Sequence, residues 1–87
     1  MDELATFLRT ARENAELTQW DLAKPLGYST PQFVSNWERG VAPFPVEKSK
    51  DFIKLTKCSP SALRKAVVAR YEARIEKYFV PVKKKSK

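Results

Sequence analysis

The chain has 87 residues, enough for one small domain with an appendage and too few for two independent cores. It has 17 Lys+Arg against 10 Asp+Glu, no His and one Cys, so zinc fingers, catalytic triads and Cys–His dyads cannot be assembled from it. A lone Cys also leaves no partner for an internal disulfide, which fits a reducing cytosol.

The net charge of +7 points to an anionic partner, most often nucleic acid. Its distribution is uneven. Residues 1–41 sum to −2 and residues 42–87 to +9. No apolar run is long enough to cross a membrane. The acidic start, Met1-Asp2-Glu3, does not resemble a secretory leader, so a cytoplasmic location is expected.

Leu4, Phe7, Leu8 and Ala11 recur at helical spacing and predict a first helix over about residues 2–15. Thr18 is a good N-cap, and Asp21 can return a bond to its backbone N–H as in a capping box. Leu17 and Leu22 have the spacing of a hydrophobic staple. A second helix is therefore expected over about Gln19–Leu26, ending at Gly27 in a left-handed conformation, with Pro25 tightening or kinking its last turn. The third helix opens either from Ser29, through a capping box with Gln32, or from Thr30 with Pro31 in the first helical position. It should run to Arg39 and stop at Gly40.

Pro43 and Pro45 stiffen the loop that follows. A fourth helix is expected over about 46–57, with Phe52, Ile53 and Leu55 as its apolar residues. Ser59-Pro60 begins a fifth helix that no Gly or Pro interrupts until Pro81. Leu63, Val67, Tyr71, Ile75 and Phe79 repeat along it every four residues. Residues 81–87 carry four Lys and should be a disordered basic tail. No strand pattern occurs, so the chain reads as all-α.

Two short helices around Gly27 form a helix-turn-helix pattern. The segments Leu8-Arg9-x-Ala11-Arg12-Glu13, Leu17-Thr18-Gln19-x-Asp21-Leu22-Ala23, Leu26-Gly27-Tyr28-Ser29 and Val34-Ser35-Asn36-Trp37-Glu38-Arg39-Gly40 resemble the Xre/Cro-type helix-turn-helix family of phage repressors and small bacterial regulators. The resemblance covers about residues 4–57. It implies a compact, lambda-repressor-like bundle of about five helices whose third helix, about 30–39, enters the DNA major groove. The expected organisation is a DNA-binding domain over 1–57, a C-terminal helix over 58–80 that closes the core and dimerises, and the tail over 81–87.

The residues of the third helix suit such a role. Val34 and Trp37 can form an apolar back. Gln32, Ser35 and Asn36 form a polar front, with Thr30 and Pro31 at its N-terminal end, and these five are the candidate base contacts. Gln32 capping its own helix and Asn36 being merely solvated is the structural alternative. Gln19, at the N-terminus of the second helix, is the phosphate clamp that the resemblance implies. Arg39, Lys48 and Lys50 are further phosphate candidates; Arg39 could instead complement the end of its helix, and the two Lys could be solvated charges.

The resemblance also implies a buried ion pair between Arg12 and Glu38. Three departures from the phage pattern stand out. The turn before the third helix is one residue longer, Phe33 replaces a small polar residue and could pack on Tyr28 or reach a methyl or sugar, and the loop after Gly40 lacks basic residues.

Apolar residues continuing along the fifth helix, Tyr71, Ile75, Tyr78 and Phe79, are candidates for a homodimer interface. A fold-back over the same domain is the alternative. The expected function is a sequence-specific double-stranded DNA-binding regulator, a repressor, without cofactor, metal or enzymatic activity. The alternatives are an antitoxin-type repressor with a protein partner on the C-terminal helix, and a protein-interaction adaptor that does not bind DNA. The net −2 of the first 41 residues favours the adaptor modestly.

Overall fold

The computed structural model describes residues 2–79. It contains α1 (Glu3–Asn14), α2 (Gln19–Ala23), α3 (Gln32–Glu38), a 3-10 turn at Val46–Lys48, α4 (Ser49–Thr56) and α5 (Pro60–Phe79), with no strand among the described residues. The expected basic tail over 81–87 lies outside them.

Local sequence explains most helix ends. Asp2 caps α1 by accepting the Ala5 N–H at 3.1 Å. The Thr18–Asp21 capping box is complete: Thr18 Oγ1 accepts from Asp21 N at 3.0 Å and Asp21 Oδ2 from Thr18 N at 2.9 Å. That second bond, followed by the contact with the Thr18 hydroxyl, holds the Asp21 carboxyl below the ordinary carboxylate pKa. Ser59 Oγ accepts from Ala62 N at 3.1 Å and starts α5.

The second helix is shorter than expected, because Pro25 has no N–H and cannot extend the i to i−4 ladder. The chain tightens instead: Leu26 N–H bonds Ala23 O, and Gly27 N–H bonds Lys24 O. Tyr28 N–H then reaches back to Ala23 O, which with Gly27 at φ 95° completes a Schellman stop. The same pattern ends α3, where Gly40 has φ 74°, its N–H bonds Trp37 O, and Val41 N–H bonds Asn36 O. It ends α1 as well, with Glu16 at φ 61° in the position usually given to Gly.

Two other boundaries shift. The Ser29 start for the third helix does not form, and Pro31 stands at the N-cap rather than in the first helical position, with the Thr30 hydroxyl accepting the Gln32 N–H at 3.1 Å. The expected fourth helix divides into the 3-10 turn and α4, because Pro45 has an extended backbone and the chain tightens before it can enter a regular α-helix.

α1 packs on α3, α4 and α5, while α2 packs on α3. One continuous core joins Leu4, Leu8, Leu22, Leu26, Val34, Trp37, Phe44, Phe52 and Leu63. Leu63 is fully buried and Val67 half-buried, so the first turns of α5 belong to this core. Beyond them the helix leaves the bundle, and Tyr71, Tyr78 and Phe79 are 60%, 73% and 76% exposed.

Candidate nucleic-acid interface

α3 is anchored from behind and bare in front. Val34 and Trp37 are buried at 0% and 3% exposure and form its apolar back. An aromatic series continues from α3 into the core. Phe33 stacks on Tyr28 with centroids 4.5 Å apart, Tyr28 meets Trp37 edge-on at 5.7 Å, Trp37 meets Phe44 at 5.2 Å, and Phe44 meets Phe52 at 5.4 Å. Offset and edge-on pairs add roughly 0.5–1.5 kcal/mol each beyond burial, so this series resists rotation of α3 about its axis. Phe33 therefore packs on Tyr28, though it stays 46% exposed. Burial, and then the charge of Glu47, raises the Tyr28 pKa above the ordinary phenol value.

The opposite face presents Pro31 and Gln32 exposed, with Thr30, Ser35 and Asn36 half-exposed. These side chains lie on one strip of surface. Gln32 Nε2 donates to Asn36 Oδ1 at 2.9 Å, and Arg39 Nη2 donates to the same oxygen at 2.7 Å. Gln32, Asn36 and Arg39 thus form a row across two turns of helix. Periodicity places the first two on one face. The arrival of Arg39 at Asn36 depends on a rotamer that spacing does not reveal.

Beneath the row lies a polar junction that joins three elements. Arg12 Nε donates to Glu38 Oε2 at 2.7 Å and Arg12 Nη2 to Glu38 Oε1 at 3.0 Å. Arg12 Nη1 donates to Leu17 O at 2.7 Å, and Gln19 Nε2 donates to Glu38 Oε1 at 3.1 Å. The side chains of Arg12 and Glu38 are only 11% and 4% exposed. The hydrogen bond to Glu38 raises the Arg12 pKa further, against the effect of burial. Gln19 is thereby held in place from within the fold, so that α1, α2 and α3 are tied at a single carboxylate.

Lys48 has a different place from the one its sequence position suggested. Its Nζ donates to Leu26 O at 2.8 Å and sits 5.1 Å from the Tyr28 ring centre. The Schellman stop of α2 leaves that carbonyl without an intrahelical donor, and Lys48 supplies one. Lys50 is exposed on α4. On α5, Arg70 Nη1 pairs with Asp2 Oδ2 at 2.9 Å, so this cation is engaged within the fold.

Residues 3–67 match the helix-turn-helix domain family. The chain belongs to that family. The match runs past α4 into the first turns of α5, the stretch that carries the buried Leu63. No curated protein and no solved structure matched the chain. In this helix-turn-helix domain α2 and α3 are the paired helices, Gly27 makes the turn between them, and the polar row of α3 is the surface that the fold leaves open.

Proposed function

We propose that this helix-turn-helix protein binds double-stranded DNA sequence-specifically and represses transcription by occupying its site. α3 lies in the major groove, with Thr30, Pro31, Gln32, Ser35 and Asn36 against base edges. Gln19 and Lys50 contact phosphates on either side. The observation that supports this reading best is the asymmetry of α3: a buried apolar back of Val34 and Trp37, and a front on which the amides of Gln32 and Asn36, the Ser35 hydroxyl and the Arg39 cation are accessible beside Pro31. Amides and hydroxyls of that kind read base edges, whereas the phosphate contacts only position the protein.

The protein acts as a homodimer through the outer part of α5. Tyr71, Tyr78 and Phe79 are large, exposed and share one helix with the half-buried Ile75. Two copies related by a two-fold axis would suit half-sites about one helical turn apart, roughly 34–36 Å. A protein partner on the same surface, as in an antitoxin, is the second reading, and the same exposed aromatics support it.

Fluorescence anisotropy with the protein's own upstream DNA at about 150 mM salt tests the DNA reading. Binding that exceeds binding to scrambled DNA, and that disappears in Gln32→Ala/Asn36→Ala with the thermal melt intact, is the expected result. Binding indifferent to sequence and to those substitutions would overturn it. Sedimentation at tens of micromolar should give a dimer for the native chain and a monomer for Tyr78→Ser/Phe79→Ser.

A further inference from the structure

The row on α3 specifies more than a polar surface. We propose that Arg39 turns Asn36 into a hydrogen-bond donor only, so that Asn36 selects guanine and rejects adenine. The inference rests on the reading of α3 as the base-contacting helix and adds the base it selects.

A guanidinium has donors and no acceptor. The Asn36 atom 2.7 Å from Arg39 Nη2 must therefore be the carbonyl oxygen, which fixes the orientation of the amide. That oxygen then requires a donor from Gln32 as well, so the Gln32 atom at 2.9 Å is its Nε2. An amide oxygen has two lone pairs, and both are taken. What Asn36 still offers is its NH2 group.

Bidentate reading of adenine needs an amide oxygen to accept from N6 while the amide nitrogen donates to N7. Asn36 has lost the first half of that pair. Guanine presents two acceptors, O6 and N7, and matches a donor-only group. Arg39 itself keeps further N–H groups and offers no acceptor. Cytosine offers a donor there, and thymine a single acceptor beside its methyl. Gln32 spends an N–H on Asn36 and keeps its own carbonyl oxygen, so the acceptor of the row lies one turn closer to the N-terminus of α3.

Arg39 has reason to stay where it is. Its sequence neighbour Glu38 is already bound at both oxygens by Arg12, with Gln19 sharing one of them. The backbone at Arg39 is pinned by its N–H bond to Ser35 O at 3.0 Å and by the Gly40 stop that follows. Releasing Asn36 to read adenine would break a charge-assisted bond.

The test is selection of binding sites from a randomised duplex library by the full chain, followed by affinities for single-base variants of the selected site. The base pair read by Asn36 is the one at which Asn36→Ala loses discrimination. Guanine should be preferred there by roughly fivefold to 150-fold, and 7-deazaguanine at that position should weaken binding. Arg39→Met should move the preference at that pair to adenine, while Arg39→Lys should retain guanine. Adenine, cytosine or thymine preferred at that pair by the native chain would overturn the inference and leave α3 as the reader. Failure to select any site would overturn the reading itself. Unchanged affinity for the 7-deazaguanine site would overturn the inference even if Arg39→Met binds too weakly for its preference to be ranked.

Discussion

Arg12 on α1 and Glu38 at the end of α3 face each other through two hydrogen bonds, 2.7 and 3.0 Å long, with almost no access to solvent. Such a pair is weak evidence for stability, because desolvation offsets much of the attraction. Its removal by halves is another matter. Glu38→Ala leaves a buried guanidinium with the Leu17 carbonyl at 2.7 Å and the Glu13 carboxylate only at 3.9 Å, and should cost about 3–5 kcal/mol. The double substitution Arg12→Met/Glu38→Leu should recover much of that loss. Urea unfolding of the two variants checks the difference, and equal losses in both would contradict it.

The helix stops make a second prediction. Glu16 and Lys57 hold left-handed backbones at φ 61° and 59°, which cost a side-chain-bearing residue about 1–2 kcal/mol. Glycine removes that strain but loses some of the gain to unfolded-chain entropy. Glu16→Gly should therefore stabilise by about 0.5–1 kcal/mol. Lys57→Gly should help less, since it also removes a cation from the negative end of α4. Thermal melts of the two variants rank them.

Gly27 and Gly40 make the reverse comparison. Both have positive φ, but a Cβ at Gly27 would meet nothing within 4 Å, whereas one at Gly40 would lie 2.9 Å from Asp2 Oδ2. Gly27→Ala should cost backbone strain alone, about 1 kcal/mol. Gly40→Ala should cost more, because Asp2 must also move. Adding Asp2→Ala to each should reduce the gap between the two, which denaturant titration would show.

The capping box links α2 to pH. Asp21 has a lowered pKa in the folded chain because its carboxylate accepts hydrogen bonds from Thr18. A depressed carboxylate binds its proton more weakly when folded than when unfolded. Its contribution is therefore complete above the unfolded value, about 4, and declines as pH falls through the lower folded value. The advantage of the native chain over Asp21→Asn in urea midpoint should hold near neutrality and vanish in strong acid. A difference that persists unchanged down to about pH 2 would contradict this assignment.

Lys48 and Lys50 separate two roles that their positions in sequence do not distinguish. Lys48→Met leaves the Leu26 carbonyl short of its donor and should lower stability by about 1–3 kcal/mol. Lys50→Met should leave the melt unchanged and flatten the salt dependence of DNA binding by about one unit of slope. Melting and salt titration of the same two proteins check both halves.

How much of this was legible beforehand depended on the distance over which each feature is determined. Thr18, Gly27, Gly40 and Ser59 act on neighbours within a few residues, and their roles can be read from residue type and spacing. Val34 and Trp37 as the back of α3 follow from helical period. The pairing of Arg12 with Glu38 was suggested by family resemblance alone, since nothing local joins residues so far apart in sequence. The bond from Lys48 to Leu26 had no such guide, because it depends on where Pro25 cuts α2 short and on where the 3-10 turn then places the ammonium. The link from Arg39 to Asn36 is a matter of side-chain rotamer, which periodicity does not encode. α5 was legible in length, but the point at which it leaves the core was not, because the apolar repeat continues past the last residue that the bundle covers.

Asp2 begins α1, pairs with Arg70 on α5, and stands against Gly40 where α3 ends. One small carboxylate thus acts as a rivet through three plates. The start of α1, the middle of α5 and the end of α3 therefore meet at a single side chain. Asp2→Ala removes a helix cap, an ion pair and the neighbour of a helix stop in one substitution.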